Sequence, residues 1–386
     1  MGDPVIQLDH QATTPCASGV VDAMAPWWRA QAANPSSRLH RPGLLAGAAV
    51  EQARGRIAAG LGLPAKAVIF TSGATEANNL ALKGLAEAEL EAGGQRRHLI
   101  SLTTEHRAVL DPLRYLERHG FQLTLLPVGR DGLLDPARLE AALQPDTLLV
   151  SVMAANNEIG VLQPLAAIAA LCRARGVRLH CDAAQAVGHI PLEPQSLGID
   201  LLSFSGHKLG GPMGIGALVR SDPALTLAPQ LHGGGQERGL RAGSLPVPLI
   251  VGLGEAVAQA LASRQERQER LAALRDQLWR QLETLGGIHR NGAAAPRLAH
   301  NLNVWVEGLD GAALHSRLRR RLAVSSGSAC SAGEPSHVLQ ALGLSRQQAA
   351  ASIRFGLGAD TTAEEIAQAA AVVAEAVRAL RQGPTG

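Results

Sequence analysis

From about residue 65 the chain alternates short runs of β-branched and other apolar residues with stretches whose apolar positions recur every three or four residues. The first pattern belongs to strands and the second to amphipathic helices. Strands are predicted over 67–71, 98–102, 121–126, 147–154, 177–181, 201–204 and 215–220. Helices are predicted over 73–90 and 108–119, after Asp135-Pro136, and from Pro164 to about 176. Aspartate followed by proline suits an N-cap and first helical position. Strands and helices alternating through short connections predict an α/β fold, its mostly parallel sheet covered on both faces.

The pattern changes after about residue 248. An Arg/Glu/Leu-rich helical stretch runs to 285 and leads into a smaller α+β unit. Strands are expected there at 300–306, 322–324 and 352–356, with a closing helix over 362–380. A chain of 386 residues suits two packed cores. The expected division is a large domain, 16–255, and a small domain made of 1–15 and 256–386.

Open parallel sheets gather their ligands at the carboxyl ends of the strands. Five polar clusters follow predicted strands here: Ser72-Gly73-Ala74-Thr75, Glu105-His106, Asn156-Asn157-Glu158, Asp182-Ala183-Ala184-Gln185 and Ser205-Gly206-His207-Lys208. All five are expected at one edge of one sheet. The first opens a helix straight after a strand, where free N–H groups and the helix dipole form a phosphate cup; taken alone, it reads better as a plain cap. Neither a Walker-type G-K-[ST] nor a complete G-x-G-x-x-G is present, which argues against nucleotide sites.

Composition sharpens one of these clusters. Of 36 basic residues only Lys66, Lys83 and Lys208 are lysine. Solubility needs no lysine where arginine serves, and lysine alone of the two forms a Schiff base. Lys208 sits in a Gly-rich turn between Ser205/His207 and Gly210-Gly211, whereas Lys83 reads as a helix-surface residue and Lys66 has no polar company. The net charge of +3 is too small and too scattered for a nucleic-acid binder. No apolar run reaches the roughly 18 residues of a membrane span. Met1-Gly2-Asp3-Pro4 carries no leader-like stretch, and four cysteines without a C-x-x-C pair do not read as a disulfide framework. The expected setting is a reducing cytoplasm, with no membrane or nucleic-acid partner and no metal site.

Four further residues invite chemistry. Asp182 is placed to pair a protonated pyridine nitrogen, which keeps such a ring an electron sink, or simply to cap a helix. His106 reads as a ring stacked on a cofactor or as a structural histidine. Arg354, between apolar neighbours in Ser352-Ile353-Arg354-Phe355, needs an anionic partner, which a substrate carboxylate or a protein carboxylate would supply. Cys330 lies in Ser325-Ser326-Gly327-Ser328-Ala329-Cys330-Ser331-Ala332-Gly333-Glu334, a small polar stretch in which a thiol is accessible. Cys16, Cys172 and Cys181 read as packing residues.

Together these motifs resemble the cysteine desulfurases of the class V aminotransferase-like group, in the subgroup with an S-S-G-S-A-C loop. The resemblance runs nearly end to end and takes in Ala12-Thr13-Thr14-Pro15, Asn34 to His40, Thr71 to Glu76, Thr104-Glu105-His106 and Asn156 to Gly160. It continues through Asp182, Gln185, Ser203 to Lys208, His232 to Gly235, Glu237-Arg238, Ser325 to Cys330 and Ser352 to Phe355. It implies a pyridoxal-phosphate enzyme of fold type I. Lys208 would carry the cofactor, Asp182 would pair its ring nitrogen and Gln185 its phenolic oxygen, and His106 would stack on the ring. Ala74, Thr75, Ser205 and His207 would hold the phosphate, with Ser244 reaching across a homodimer to the partner's cofactor. Asn157, a cofactor neighbour as well, and Arg354 would hold the substrate carboxylate.

The reaction so implied converts L-cysteine to alanine. Lys208 removes the Cα proton and Cys330 takes the sulfur as a persulfide, for delivery to an acceptor such as an iron–sulfur scaffold. The one metal contact the resemblance would allow is that of Cys330 with a cluster in transit. Ser244 stands where threonine is common in the group, and the stretch after Cys330 looks about two residues shorter. The chain also ends soon after its last predicted helix, without the extension that some members use to dock the scaffold. Alternatives are a cysteine or cystine C–S lyase, a selenocysteine lyase, and a non-catalytic scaffold on a decayed aminotransferase fold.

Overall fold

A computed structural model describes residues 5–327 and 335–382. Among these residues the strands are β1 (Ile6–Gln7), β2 (Val68–Thr71), β3 (His98–Leu102), β4 (Gln122–Leu126), β5 (Thr147–Ser151), β6 (Arg178–Asp182), β7 (Leu201–Ser205), β8 (Gly216–Arg220), β9 (Ile288–Arg290), β10 (Asn301–Val306), β11 (Leu322–Ala323) and β12 (Ser352–Gly356). Seven form one sheet in the order β2-β8-β7-β6-β5-β3-β4. All of its pairs are parallel except those of β8, which runs against both β7 and β2. The other six strands therefore all end at the same edge.

Both faces of this sheet are covered, and the side chains sort by the two-residue period of a strand. Val68, Phe70, Leu202, Phe204, Ala217 and Val219 pack on one side, with Ile57 and Val257 from the helices Arg41–Gly60 and Val247–Ala262. Ile69, Leu201 and Leu218 point the other way, onto Leu80 and Leu113 of the helices Ala74–Glu91 and Arg107–Glu117. Burial on both faces is why these strands read as continuous apolar runs. A separate core gathers Leu278, Val304, Phe355 and Val373 from the helix Arg264–Glu283, β10, β12 and the helix Ala363–Arg381.

Three expectations are corrected. The long helix expected up to 285 is two helices, Val247–Ala262 and Arg264–Glu283, parted at Ser263; the first packs on the large sheet and the second on the other core. The strand expected at 147–154 ends at Ser151, because the chain then turns through Asn156 while Val152 and Ala154 still donate to the His180 and Asp182 carbonyls. The stretch 322–324 contributes only a two-residue strand, and it pairs in parallel with β1 rather than with β10 or β12.

Candidate active site

The five polar clusters meet at the common edge of the large sheet, following β2, β3, β5, β6 and β7. They line a cavity of about 390 Å³ that contains Ala74, Thr75, His106, Asn157, Asp182, Gln185, Ser205, His207, Lys208 and Arg354. Two expected residues are not among them. Ser244 lies in a neighbouring cleft with Thr71, Ser72 and Arg241, and Cys330 lies outside the described residues.

Lys208 follows β7 in a tight turn. Its Nζ donates to the Gln11 and Ala12 carbonyls, 2.7 Å each. The Gln11 carbonyl also accepts from Gln185 Nε2 at 3.0 Å. Asp182 is the last residue of β6 and is nearly buried. Asn78 Nδ2 donates to its Oδ2 at 2.8 Å and the Ala184 N–H to its Oδ1 at 2.9 Å, so its orientation is fixed from two sides.

His106 caps the helix Arg107–Glu117, its Nδ1 accepting from the Ala108 N–H at 3.1 Å; any ring proton is thus on Nε2. Burial lowers the proton affinity of this imidazole, and Lys208 and His337 lower it further against the pull of Asp182. A neutral ring results, suited to stacking. Burial and the Lys208 ammonium likewise bring His207 down to about 4, which leaves it a neutral hydrogen-bonding group beside Thr13. Next to His106, the buried Glu105 carboxyl accepts from the Met153 N–H, and loss of hydration holds its pKa well above the usual range.

The helix Ala74–Glu91 starts at Gly73 with no capping side chain, so its first N–H groups face the cavity mouth unclaimed by a cap. Glycine is needed for the close approach of strand and helix here: a Cβ on Gly216 would lie 2.4 Å from the Phe204 carbonyl and 2.7 Å from Gly73 Cα. Arg354 is fully buried. Its guanidinium donates to Asp9 Oδ1 at 2.7 Å and to the Asn157 carbonyl at 2.9 Å, so the protein-carboxylate partner foreseen as one alternative is present, while the residue still lines the cavity.

Gln11 and Asn78 were missed from the sequence, and Ala12 entered only within a motif, without a role. Asn78 had a signal, a polar residue among Ala77, Leu80 and Ala81 on the apolar face of its helix. The backbone carbonyls of Gln11 and Ala12 carry none, because acceptance by a main chain does not depend on residue type.

An amine, a carboxylate, a neutral imidazole and an uncapped helix start facing one cavity fit a phosphate-bearing pyridine aldehyde in kind. Residues 6–368 match the family model described as aminotransferase class-V. The chain belongs to that family. The cysteine desulfurase IscS of Shewanella baltica is 47% identical over 382 residues, covering 98% of this chain and 94% of that protein. Among solved structures, a NifS-like protein superposes with a TM-score of 0.91 at 34% identity, over 97% of this chain and 100% of its own. SspA, solved in complex with cysteine, does so with a TM-score of 0.81 at 38% identity, over 92% and 99%. Within the class-V aminotransferases the chain thus falls among the cysteine desulfurases, whose cofactor is pyridoxal phosphate. Among the described residues no helix is long and apolar enough to cross a membrane, and no group of three or more His, Cys, Asp or Glu is arranged to hold a metal.

Proposed function

We propose that this desulfurase takes sulfur from L-cysteine onto Cys330 and releases L-alanine. The convergence of Lys208, Asp182 and His106 on one cavity carries the reading. Pyridoxal phosphate, when bound through Lys208, supplies an electron sink for the substrate Cα. Asp182, oriented by Asn78, would hold the ring nitrogen, Gln185 would serve the phenolic oxygen, and the buried, neutral His106 would stack on the ring. The N–H groups of Ala74 and Thr75, with Ser205 and His207, would receive the phosphate. Asn157 and Arg354 hold the substrate carboxylate.

The Lys208 amine removes the Cα proton, with the Gln11 and Ala12 carbonyls as a resting place for the protonated form. The Cys330 thiolate then attacks the substrate sulfur. An S–S bond forms and the Cβ–S bond breaks with its electron pair left on carbon; Cβ takes up a proton to become the methyl group of alanine, and the Lys208 ammonium returns the proton to Cα. Burial makes the other thiols poor nucleophiles, since it raises Cys172 to about 12, Cys181 well above its usual value, and Cys16 upward.

The separate cores support a division into a large domain, 16–255, and a small domain of 1–15 with 256–386. Exposed Leu39, Leu44 and Leu45, of which Leu44 shares a cleft with Leu245 next to Ser244, support a homodimer in which Ser244 reaches the partner's cofactor phosphate. The persulfide passes to a protein acceptor, an iron–sulfur scaffold, in the cytoplasm.

The test is to incubate the holoenzyme with L-cysteine and a reductant, and to measure alanine, sulfide and pyruvate. Alanine and sulfide are expected, and are lost in Cys330→Ala. Pyruvate and ammonia that survive the substitution would instead make the protein a C–S lyase.

A further inference from the structure

Glu158 is 1% exposed and takes no part in the chemistry above. It belongs to the turn 156–160, which Asn156 organises by accepting the N–H groups of Glu158 and Ile159 on its Oδ1. The Glu158 carbonyl accepts from Asn301 Nδ2 and Asn303 Nδ2, each at 3.0 Å, which fastens the turn to β10. The carboxylate points elsewhere. Its Oε2 accepts from Ser336 Oγ, 178 residues away in sequence, and a Cβ built on Gly327 would lie 3.1 Å from the same oxygen.

Gly327 and Ser336 flank the stretch that carries Cys330; Ser336 bonds this buried oxygen and Gly327 lies close beside it. Each stem has a further tie. Ser325 bridges to Arg354, with N–H···O distances of 3.3 and 2.6 Å. Ser336 Oγ accepts from the Leu339 N–H at 3.1 Å and so caps the helix His337–Ala341. The residue before Glu158 is Asn157, which lines the active cavity and whose carbonyl accepts from Arg354. One turn therefore faces the substrate with residue 157 and the cysteine-bearing stretch with residue 158.

We propose that Glu158 is a positioning residue that ties the Ser336 stem of the Cys330 stretch, with the Gly327 stem packed beside it, to the turn presenting Asn157 to the substrate. The assignment rests on the desulfurase reading above. A buried carboxylate is tolerated where donors satisfy it, and here a donor comes from the segment whose placement the sulfur transfer needs. Adjacent residues of one turn thus face the active cavity and a stem of the cysteine-bearing stretch. Such a residue acts on sulfur transfer and leaves cofactor and substrate binding alone.

The experiment uses holoenzyme of Glu158→Ala, Glu158→Gln and Ser336→Ala, with Cys330→Ala as reference. Cofactor absorbance during L-cysteine titration reports binding, and single-turnover alkylation with mass spectrometry reports persulfide on Cys330. Binding is expected to stay at the wild-type value in all variants. Persulfide formation should fall in Glu158→Ala by on the order of a hundredfold, the scale of a misplaced reacting atom, and by less in Ser336→Ala. Glu158→Gln keeps an acceptor for the Ser336 hydroxyl and should recover most of the rate. Wild-type persulfide formation in both alanine variants would overturn the assignment, as would binding lost in parallel or a glutamine variant as impaired as alanine. If Glu158→Ala does not fold, Ser336→Ala and Glu158→Gln carry the same comparison. Alanine production surviving in Cys330→Ala would instead overturn the desulfurase reading, and this assignment with it.

Discussion

Asn78 Nδ2 lies 2.8 Å from Asp182 Oδ2, and the amide that fixes this carboxylate is itself completely buried. The pair joins the helix Ala74–Glu91, whose start lines the active cavity, to the end of β6, which lines the same cavity. Removing the amide leaves one carboxylate oxygen without its donor, a loss of about 1–3 kcal/mol for a buried charged acceptor. In Asn78→Leu the purified protein should retain less cofactor, with affinity lowered about tenfold per 1.4 kcal/mol. Absorbance of the bound cofactor during titration into apoprotein measures this, and the fold should survive.

The sheet-edge clusters were legible because a strand followed by polar residues is a local pattern, and the order of strands then brings distant patterns to one rim. Lys208, Asp182 and His106 were found that way. What joins them was not local. The Gln11 and Ala12 carbonyls reach Lys208 across 196 or 197 residues, and no periodicity encodes such a contact. The break at Ser263 was hidden for a related reason: helix propensity continues across it, and only the two separate cores require the change of direction.

Acid should destabilise the protein early. Burial brings His180 from 6.5 down to about 3 and drives His300 well below its ordinary value. His180 is satisfied as a neutral ring between Ser151 and Ser203. The unfolded chain binds these protons once pH falls through about 6.5, whereas the folded chain refuses them until far lower. Stability is therefore whole above that value and declines steadily as pH falls toward about 3, by up to roughly 1.4 kcal/mol per unit for each such ring. Urea midpoints measured between about pH 7.5 and pH 5 should show the decline, and His180→Gln should flatten it.

Arg54 and Glu237 form a buried bidentate ion pair, with N···O distances of 2.7 and 2.8 Å. Glu237 Oε2 also accepts from the Phe70 N–H at 2.7 Å, which holds the following segment against β2. Glu237 and Arg238 both adopt left-handed backbone conformations, φ 48° and 58°, an arrangement that surrounding contacts must enforce. Arg54→Met should cost about 3–5 kcal/mol, the usual penalty for stranding one buried charge. Arg54→Met combined with Glu237→Gln should recover part of that loss in urea unfolding.

Leu39 is completely exposed, and Leu44 and Leu45 are about half exposed, an unusual outlay of apolar surface for a free monomer. In a dimer that covers them, Leu39→Glu with Leu44→Glu should shift the protein to monomer in light scattering. Cofactor retention should fall with it if Ser244 serves the partner's phosphate. A dimer that persists unchanged would place the contact elsewhere.

Gln11 is held from two directions. Its carbonyl receives Lys208 and Gln185, while its side-chain oxygen receives Asn301 from the strand beside the second core. A protease cut or a fused tag that pulled this short leading stretch from its seat would therefore act as a remote inhibitor, loosening the reactive amine and unfastening the two halves of the molecule in one event. Residues 11 and 12 thus act as a latch, one short piece of backbone on which the Lys208 amine and the neighbouring core both depend.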